Sequence, residues 1–253
     1  MPESYAGKIN RKLLKKQRII AAAAGREPAD LVLKNATFVN VFSNELSTMD
    51  IAVAEGLIVG MGSYQGRSEV DCTGKIVLPG FLDAHIHLES SMASPEEFAR
   101  MVVPHGTAAV ITDPHEIGNV WGIEGVRYMH EASEGLPMRQ LIDIPSCVPA
   151  VPGLEHAGAE FGPAQIEELA KLERVVGLAE VMDYLDVIHG GDRMMDIIRT
   201  AEEHGLYLQG HAPFVEGRML SAYLCGGPNT CHESRTAEEA LEKMRSGMRV
   251  DAR

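Results

Sequence analysis

Two histidines one residue apart, His85 and His87 in GFLDAHIHLESSM (residues 80–92), follow an apolar run and precede a carboxylate and two serines. In an extended strand, side chains at i and i+2 share a face, so both imidazoles can meet one cation. Alone, such a pair is weak grounds for a metal site, because most histidines are surface or satisfied core residues. His115, Glu180, His211 and His232 each also stand near the C-terminal end of a predicted strand. A divalent zinc, manganese or iron ion takes imidazole nitrogen and carboxylate oxygen, and two ions together need a bridging carboxylate beside terminal histidines. His85, His87, Glu180, His211 and His232 supply that set. The competing account is chance placement at four strand ends, and the joint pattern weighs against it.

Other residues are softer candidates. TDPHEIGNV places Asp113, His115 and Glu116 on the loop after the second strand, where they either orient a ligand and hold a substrate ring or form a solvated turn. Glu89, Ser90 and Ser91 follow the histidine pair and read as a carboxylate acceptor and hydroxyl contacts, or as part of a helix cap. Ser94, before Pro95 and Glu97, is a good cap by itself. Glu233, beside His232, faces either the site or solvent. His105, His130, His156, His189 and His204 lie away from predicted strand ends and receive no role. HGGD at 189–192 lacks the spacing of a phosphate loop and reads as a turn and helix start.

The elements that must position these residues follow from periodicity. Residues 1–28 read as an N-terminal amphipathic helical segment rather than an export signal. From 29 to 79, short runs such as LVLKNATFVNVF and DIAVAEGLIVGMG predict a small antiparallel sheet. From 80 to 253 apolar strands alternate with helical patterns near 95–104, 122–134, 163–173, 191–204, 214–225 and 236–247, making about six β/α units. Strands without polar alternation suit a parallel sheet covered on both faces, in a barrel or a doubly wound fold. A barrel brings strand ends to one mouth, whereas an open sheet spreads them, so the histidines favour the barrel.

Composition sets the outer bounds. With 36 acidic and 23 basic residues the formal charge is -13, which disfavours nucleic acid and anionic membranes as partners and points to a small molecule. Cys72, Cys147, Cys225 and Cys231 lack paired spacing and read as reduced thiols of a cytoplasmic protein. No stretch approaches the roughly 18 apolar residues of a membrane span.

PGFLDAHIHLESS resembles the first-strand motif of the amidohydrolase superfamily. Taken in order, GFLDAHIHLESSM, TAAVITDPHEIGNV, PSCVPAVPGLE, GLAEVMD, LQGHAP and CHES are similar to the bacterial and archaeal adenine deaminases. The resemblance runs from about Asp30 to about Met248, and VVGLAEVMDYLD lacks the fourth-strand lysine of dihydroorotase-like relatives. It implies a (β/α)8 TIM-type barrel, here incomplete, preceded by part of a small β-sandwich domain. His85 and His87 would bind one metal, His211 and His232 the other, and Glu180 would bridge them, the ions being manganese or iron, with zinc an alternative. The implied reaction is hydrolysis of adenine to hypoxanthine and ammonia. A hydroxide would attack C6, an acid would protonate the amine, and Glu180, His115 and Glu116 would be catalytic. Glu89, Ser91, Asp113 and Glu233 would contact substrate.

Relatives continue for two more β/α units and a strand-eight aspartate, for which this sequence has no candidate. The expectation is therefore a homo-oligomer, or a chain dependent on a missing C-terminal portion. Two alternatives stay open: another amidohydrolase acting on a cyclic amide or aminopurine, and a catalytically inactive metal-binding fragment.

Overall fold

The computed structural model describes residues 5–252; residues 1–4 of the expected N-terminal segment, and residue 253, lie outside the described residues. The chain divides between Pro79 and Gly80 into two compact units. Among the described residues no helix is long and apolar enough to cross a membrane.

The first unit begins with α1 (Tyr5–Ala23) and continues through β1 (Ala29–Asn40), β2 (Glu45–Ala54), β3 (Leu57–Gly62), β4 (Gly66–Asp71) and β5 (Ile76–Val77). These strands form one five-stranded sheet in the order β3-β2-β1-β4, with β5 also on β1. The sheet is mixed, which corrects the antiparallel expectation: β1 and β2 are antiparallel, but β4 and β5 run parallel to β1. The reason is topological, since the short 63–65 segment carries the chain from β3 to the other edge of β1. A second sheet, as a sandwich requires, is not among the described residues of this first unit. Ala36, Phe38, Ile51 and Cys72 form one small core, and Ala29, Val32 and Ala52 another.

Asp50 organises the irregular part of that sheet. The β1–β2 register shifts between Leu33 and Ala36, and Asn35 in the shift has φ 56°. Asp50 accepts from Asn35 N at 3.1 Å, from Tyr64 N at 3.3 Å and from Lys34 Nζ at 2.5 Å. Burial works to raise its pKa, but the Lys34 contact outweighs it and holds the carboxyl below its ordinary value.

In the second unit the order is β6 (Phe81–Ile86), α2 (Pro95–Val102), β7 (Thr107–Thr112), α3 (His115–Trp121), α4 (Ile123–Glu131), β8 (Arg139–Pro145) and α5 (Pro163–Leu169). There follow β9 (Val175–Val181), α6 (Tyr184–His189), α7 (Asp192–Glu203), β10 (Tyr207–Gly210), α8 (Gly217–Cys225), β11 (Thr230–Cys231), α9 (Ala237–Arg245) and β12 (Arg249–Val250). Strands β6 to β10 form a five-stranded sheet in sequence order, parallel throughout. The central strands β8 and β9 are buried along nearly their whole length, as parallel strands covered on both faces must be. Ile142, Ile144, Leu178 and Val181 from these strands pack with Met129, Ile166, Leu169 and Ile197 from the helices.

The sheet curls rather than lying flat. Five strands in a plane would separate their edges by about 19 Å at ordinary strand spacing. Yet Gln209 Nε2 on β10 reaches the carbonyl of Ala84 on β6 at 3.3 Å. This is part of a TIM-type barrel. Of the six strands expected in it, the sixth, β11, pairs in parallel with β12 instead of extending the five-stranded ladder. Its attachment to β10 runs through Gly210 N to Thr230 Oγ1, 3.2 Å, and Asn229 N to Leu208 O, 3.3 Å.

Local signals explain the helix starts. Ser94 caps α2, accepting from Glu97 N at 3.3 Å, with Pro95 at the first helical position. At HGGD, α6 ends on His189, Gly190 turns the chain at φ 67°, and α7 starts at Asp192.

Candidate metal centre

Glu180 occupies the centre of the site. It lies near the end of β9, is 2% exposed and has φ 35°. A non-glycine residue held there costs roughly 1–3 kcal/mol. Ser146, at the end of β8, supports it: its hydroxyl stands 2.7 Å from the carbonyl of Ala179 and 3.0 Å from that of Glu180.

Four imidazole nitrogens converge on Glu180 Oε1. His232 Nε2 lies at 2.8 Å, His85 Nε2 at 3.0 Å, His87 Nε2 at 3.3 Å and His211 Nδ1 at 3.4 Å. The nitrogens also group in pairs, His85 with His87 at 3.2 Å and His211 with His232 at 3.3 Å. Extended backbone accounts for the first pair, because His85 near the end of β6 and His87 just beyond it stand two residues apart on one face. Barrel curvature accounts for the meeting of the two pairs: the rings of His85 and His232 stack with centroids 3.9 Å apart.

His115 Nδ1 lies 2.8 Å from Asp113 Oδ2 and 3.5 Å from Glu180 Oε2. His87 Nδ1 lies 3.0 Å from the carbonyl of Asp113, so that its proton goes to Asp113 and Nε2 is turned to Glu180. The expected loop at TDPHEIGNV is in fact the start of α3, which begins at His115 and carries Glu116. A helix of this length leaves too short a periodicity to be read from sequence.

Charge follows from this packing. Burial acts to raise Glu180, but His211, His232, His85 and His87 override it and hold the carboxyl far below its ordinary value. Burial likewise acts to lower His87, but Glu180 and Asp113 hold it at about 9. His115 is also held at about 9, by Asp113 above all, against burial. For His232 burial wins, and its pKa is lowered.

The donor set fits divalent ions. A carboxylate oxygen accommodates about two hydrogen bonds, so four imidazoles cannot all donate to one oxygen. Cations between the nitrogen pairs and the carboxylate would turn the crowded lone pairs into bonds. His85 Nδ1 and His232 Nδ1 are buried without a protein partner among the described residues, which leaves their Nε2 atoms as the engaged side. Three ligand groups overlap at Glu180: His85, His87, Asp113 and Glu180; Asp113, His115, Cys147 and Glu180; and Glu180, His211 and His232.

The remaining expected residues sort by distance from this centre. Ser90 donates to Glu116 Oε1 at 2.5 Å, and Ile117 N donates to Glu89 Oε1 at 3.3 Å. Burial, then the neighbouring Glu116, pushes the Glu89 carboxyl up to about 7. Ser91 is engaged locally, donating to the carbonyl of Leu88 at 2.6 Å. Glu233 is buried, 4.0 Å from His232 Nε2 and 3.9 Å from Arg235 Nε.

Two neighbours were not singled out from sequence. Cys147, beyond β8, clusters with Asp113, His115 and Glu180. Asp143 lies fully buried in the barrel interior, 2.5 Å from Gln209 Nε2 and 3.4 Å from the hydroxyl of Tyr207. Burial and then the charge of Asp113 raise its pKa well above the ordinary value. Strand ends carried the sequence signal, and Asp143 within the apolar run RQLIDIP offered none.

Comparison with known proteins agrees with this geometry. Residues 76–249 match the model of the Amidohydrolase family. Adenine deaminase 2 of Carboxydothermus hydrogenoformans is 46% identical over 230 residues, covering 91% of this chain and 40% of its own length. The adenine deaminase of Desulfatibacillum aliphaticivorans is 47% identical, with 92% and 41% coverage. The chain thus spans about 40% of the length of these curated relatives. Among solved structures, a mutant atrazine chlorohydrolase of Arthrobacter aurescens complexed with zinc and atraton aligns at TM-score 0.65, with 15% identity and 88% and 65% coverage. D-hydantoinase aligns at 0.59, with 17% identity and 88% and 57% coverage. With a partial parallel barrel, histidines and a carboxylate at its strand ends, and a family match across most of its length, this chain belongs to the amidohydrolase family.

Proposed function

We propose that the chain supplies the metal-binding part of an adenine deaminase, which hydrolyses adenine to hypoxanthine and ammonia. The observation that carries this reading is the convergence of His85, His87, His211 and His232 on one oxygen of Glu180. The similarity to adenine deaminases supports the choice of substrate. His85 and His87 would hold one divalent ion, His211 and His232 the other, with Glu180 between them. Manganese or iron is the expected metal, and zinc is compatible with the same donors. Bound there, such ions supply the Lewis acidity that makes water a nucleophile near neutral pH.

The chain's own residues would do the rest. In the reaction a C6–O bond forms, the C6–N bond breaks, and the leaving amine takes a proton. Asp113 engages His115 Nδ1, which fixes the ring and makes Nε2 the atom available to pass that proton. Glu116 and Glu89 each keep one carboxylate oxygen buried without a protein partner among the described residues, and would carry protons between solvent and the site. Glu233 and Asp113 would orient the purine edge. The four free cysteines and the acidic charge are in keeping with a cytoplasmic enzyme of small-molecule metabolism.

One observation favours a second reading, metal binding without turnover. β6 is exposed from Phe81 to Ala84 in one residue after another, so the strand that leads into the first histidine pair has an open flank. An ammonia-release assay with adenine, on chain loaded with manganese or ferrous iron, separates the two. Deamination that disappears in Glu180→Gln and His85→Ala supports the enzyme reading. Equal background in all three proteins contradicts it, and retained metal without ammonia favours the second.

A further inference from the structure

Beneath the loops that follow β10 and β11 lies an ion pair with no part in the reaction outlined above. Glu239 and Lys243, one turn apart on α9, are 3% and 0% exposed, a rare location for two charges. Their Oε1 and Nζ atoms are 2.7 Å apart. Their other side-chain bonds run to the two loops that carry His211 and His232. Lys243 Nζ is 3.3 Å from Cys231 Sγ and 3.5 Å from Ser234 Oγ, on either side of His232. Glu239 accepts from Arg235 N at 2.9 Å in the same loop, and from Phe214 N at 3.0 Å in the loop of His211. Cys231 Sγ closes the link, 3.5 Å from the backbone nitrogen of Ala212. Phe214 itself has φ 61°, a conformation that its bond to Glu239 restrains.

The two halves of the candidate centre are therefore built differently. His85 and His87 lie two residues apart on one continuous extended stretch, whose pleat sets their spacing, and the carbonyl of Asp113 fixes His87 further. His211 and His232 come from separate loops beyond short strands joined by the bonds from Gly210 N to Thr230 Oγ1 and Asn229 N to Leu208 O, so the 3.3 Å between their nitrogens depends on how those loops are held. A buried ion pair is a poor device for stability alone, because desolvation offsets its attraction and apolar residues often replace it without loss. What it does well is fix several chain segments at once.

We propose that Glu239 and Lys243 are positioning residues for the second half of the metal centre, holding His211 and His232 in ligating register by tying both loops to α9. The inference rests on the reading of Glu180, His211 and His232 as metal ligands.

The test is a cobalt(II) titration of the full chain, followed by calorimetry and by the visible absorption of the bound ion. Wild type should take up two ions. Lys243→Met and Glu239→Ala should keep the first and weaken the second by about tenfold or more, the usual cost of removing an outer partner of a ligand. The absorption of the second ion should change. Glu239→Gln, which retains an acceptor for Phe214 N, should recover part of the affinity; it also carries the comparison if Lys243→Met does not fold. Wild-type affinity and absorption for both ions in Lys243→Met and Glu239→Ala overturn the proposal, and so does an equal loss of both ions. His211→Ala separates the two levels of inference. If it binds two ions as wild type does, or if wild type binds none, the metal-centre reading itself fails.

Discussion

Asp50 in the first unit and Glu180 at the barrel mouth are both buried carboxylates with depressed pKa values, yet their surroundings are opposite. Asp50 meets one lysine and two backbone amides, groups that come with protons and, in Lys34, a positive charge. Its bonding is complete within the chain. Glu180 meets four imidazole nitrogens on one oxygen, more than the oxygen can accept from and with lone pairs crowded together. The first arrangement is a structural fastening. The second makes sense as a ligand set whose partner is a cation, and its surroundings, Ser146 among them, hold Glu180 in a strained backbone conformation. A depressed pKa therefore does not distinguish structure from function, whereas the chemical identity of the partners does.

The largest effect expected from this contrast is on metal affinity. Glu180→Gln should weaken divalent metal binding by about 100-fold or more, since even outer partners of ligands are worth 10- to 100-fold. Asp50→Asn should leave that affinity unchanged, and calorimetric titration of both variants checks the pair. Next in size is the effect of the metal on stability. Metal at 100 times the dissociation constant of each site should add about 2.7 kcal/mol per bound ion to the unfolding free energy, all of it removed by a chelator. Denaturant unfolding with and without chelator measures it, and Glu180→Gln should show little difference between the two conditions.

How much of this contrast was legible beforehand depended on where each residue stood. The cluster around Glu180 could be read because parallel strands run apolar until a polar residue breaks them at the barrel mouth, as at His85, Glu180 and His211. Asp113 and His115 were found for the same reason, but the helix that starts at His115 was too short to show a period. β12, two residues long, carried no signal either, so its pairing with β11 emerged only from the fold. Glu239 and Lys243 look like an ordinary solvated i,i+4 pair; they are buried only because two distant loops fold over them. Asp50, inside an alternating strand, likewise gave no hint that it would bind a bulge.

Smaller effects sharpen the structural side. Asp50→Asn should destabilise the first unit by about 1.5–3 kcal/mol, the scale of hydrogen bonds to a charged group. Because the folded pKa of Asp50 is depressed, its contribution is present above the unfolded value of about 3.9 and is lost as pH falls through the folded one. The difference between wild type and variant should thus shrink in acid, which denaturant midpoints across pH will show.

Asp143 has the opposite sign. Its folded pKa is raised, so stability is fully present below the unfolded value of about 3.9 and declines as pH rises through the folded one. Asp143→Asn should flatten that decline, gaining on wild type towards neutral pH and matching it in acid. A wild-type profile without such a decline would contradict a buried proton at this position.

The central claim is that the histidine cluster around Glu180 is a two-metal centre, and metal content tests it most directly. The full chain, reconstituted with manganese or ferrous iron and desalted, should retain two ions per chain by elemental analysis. A variant with His85, His87, His211 and His232 all changed to alanine should retain none. Wild-type chain that keeps no metal, or a variant that keeps as much as wild type, would contradict the account.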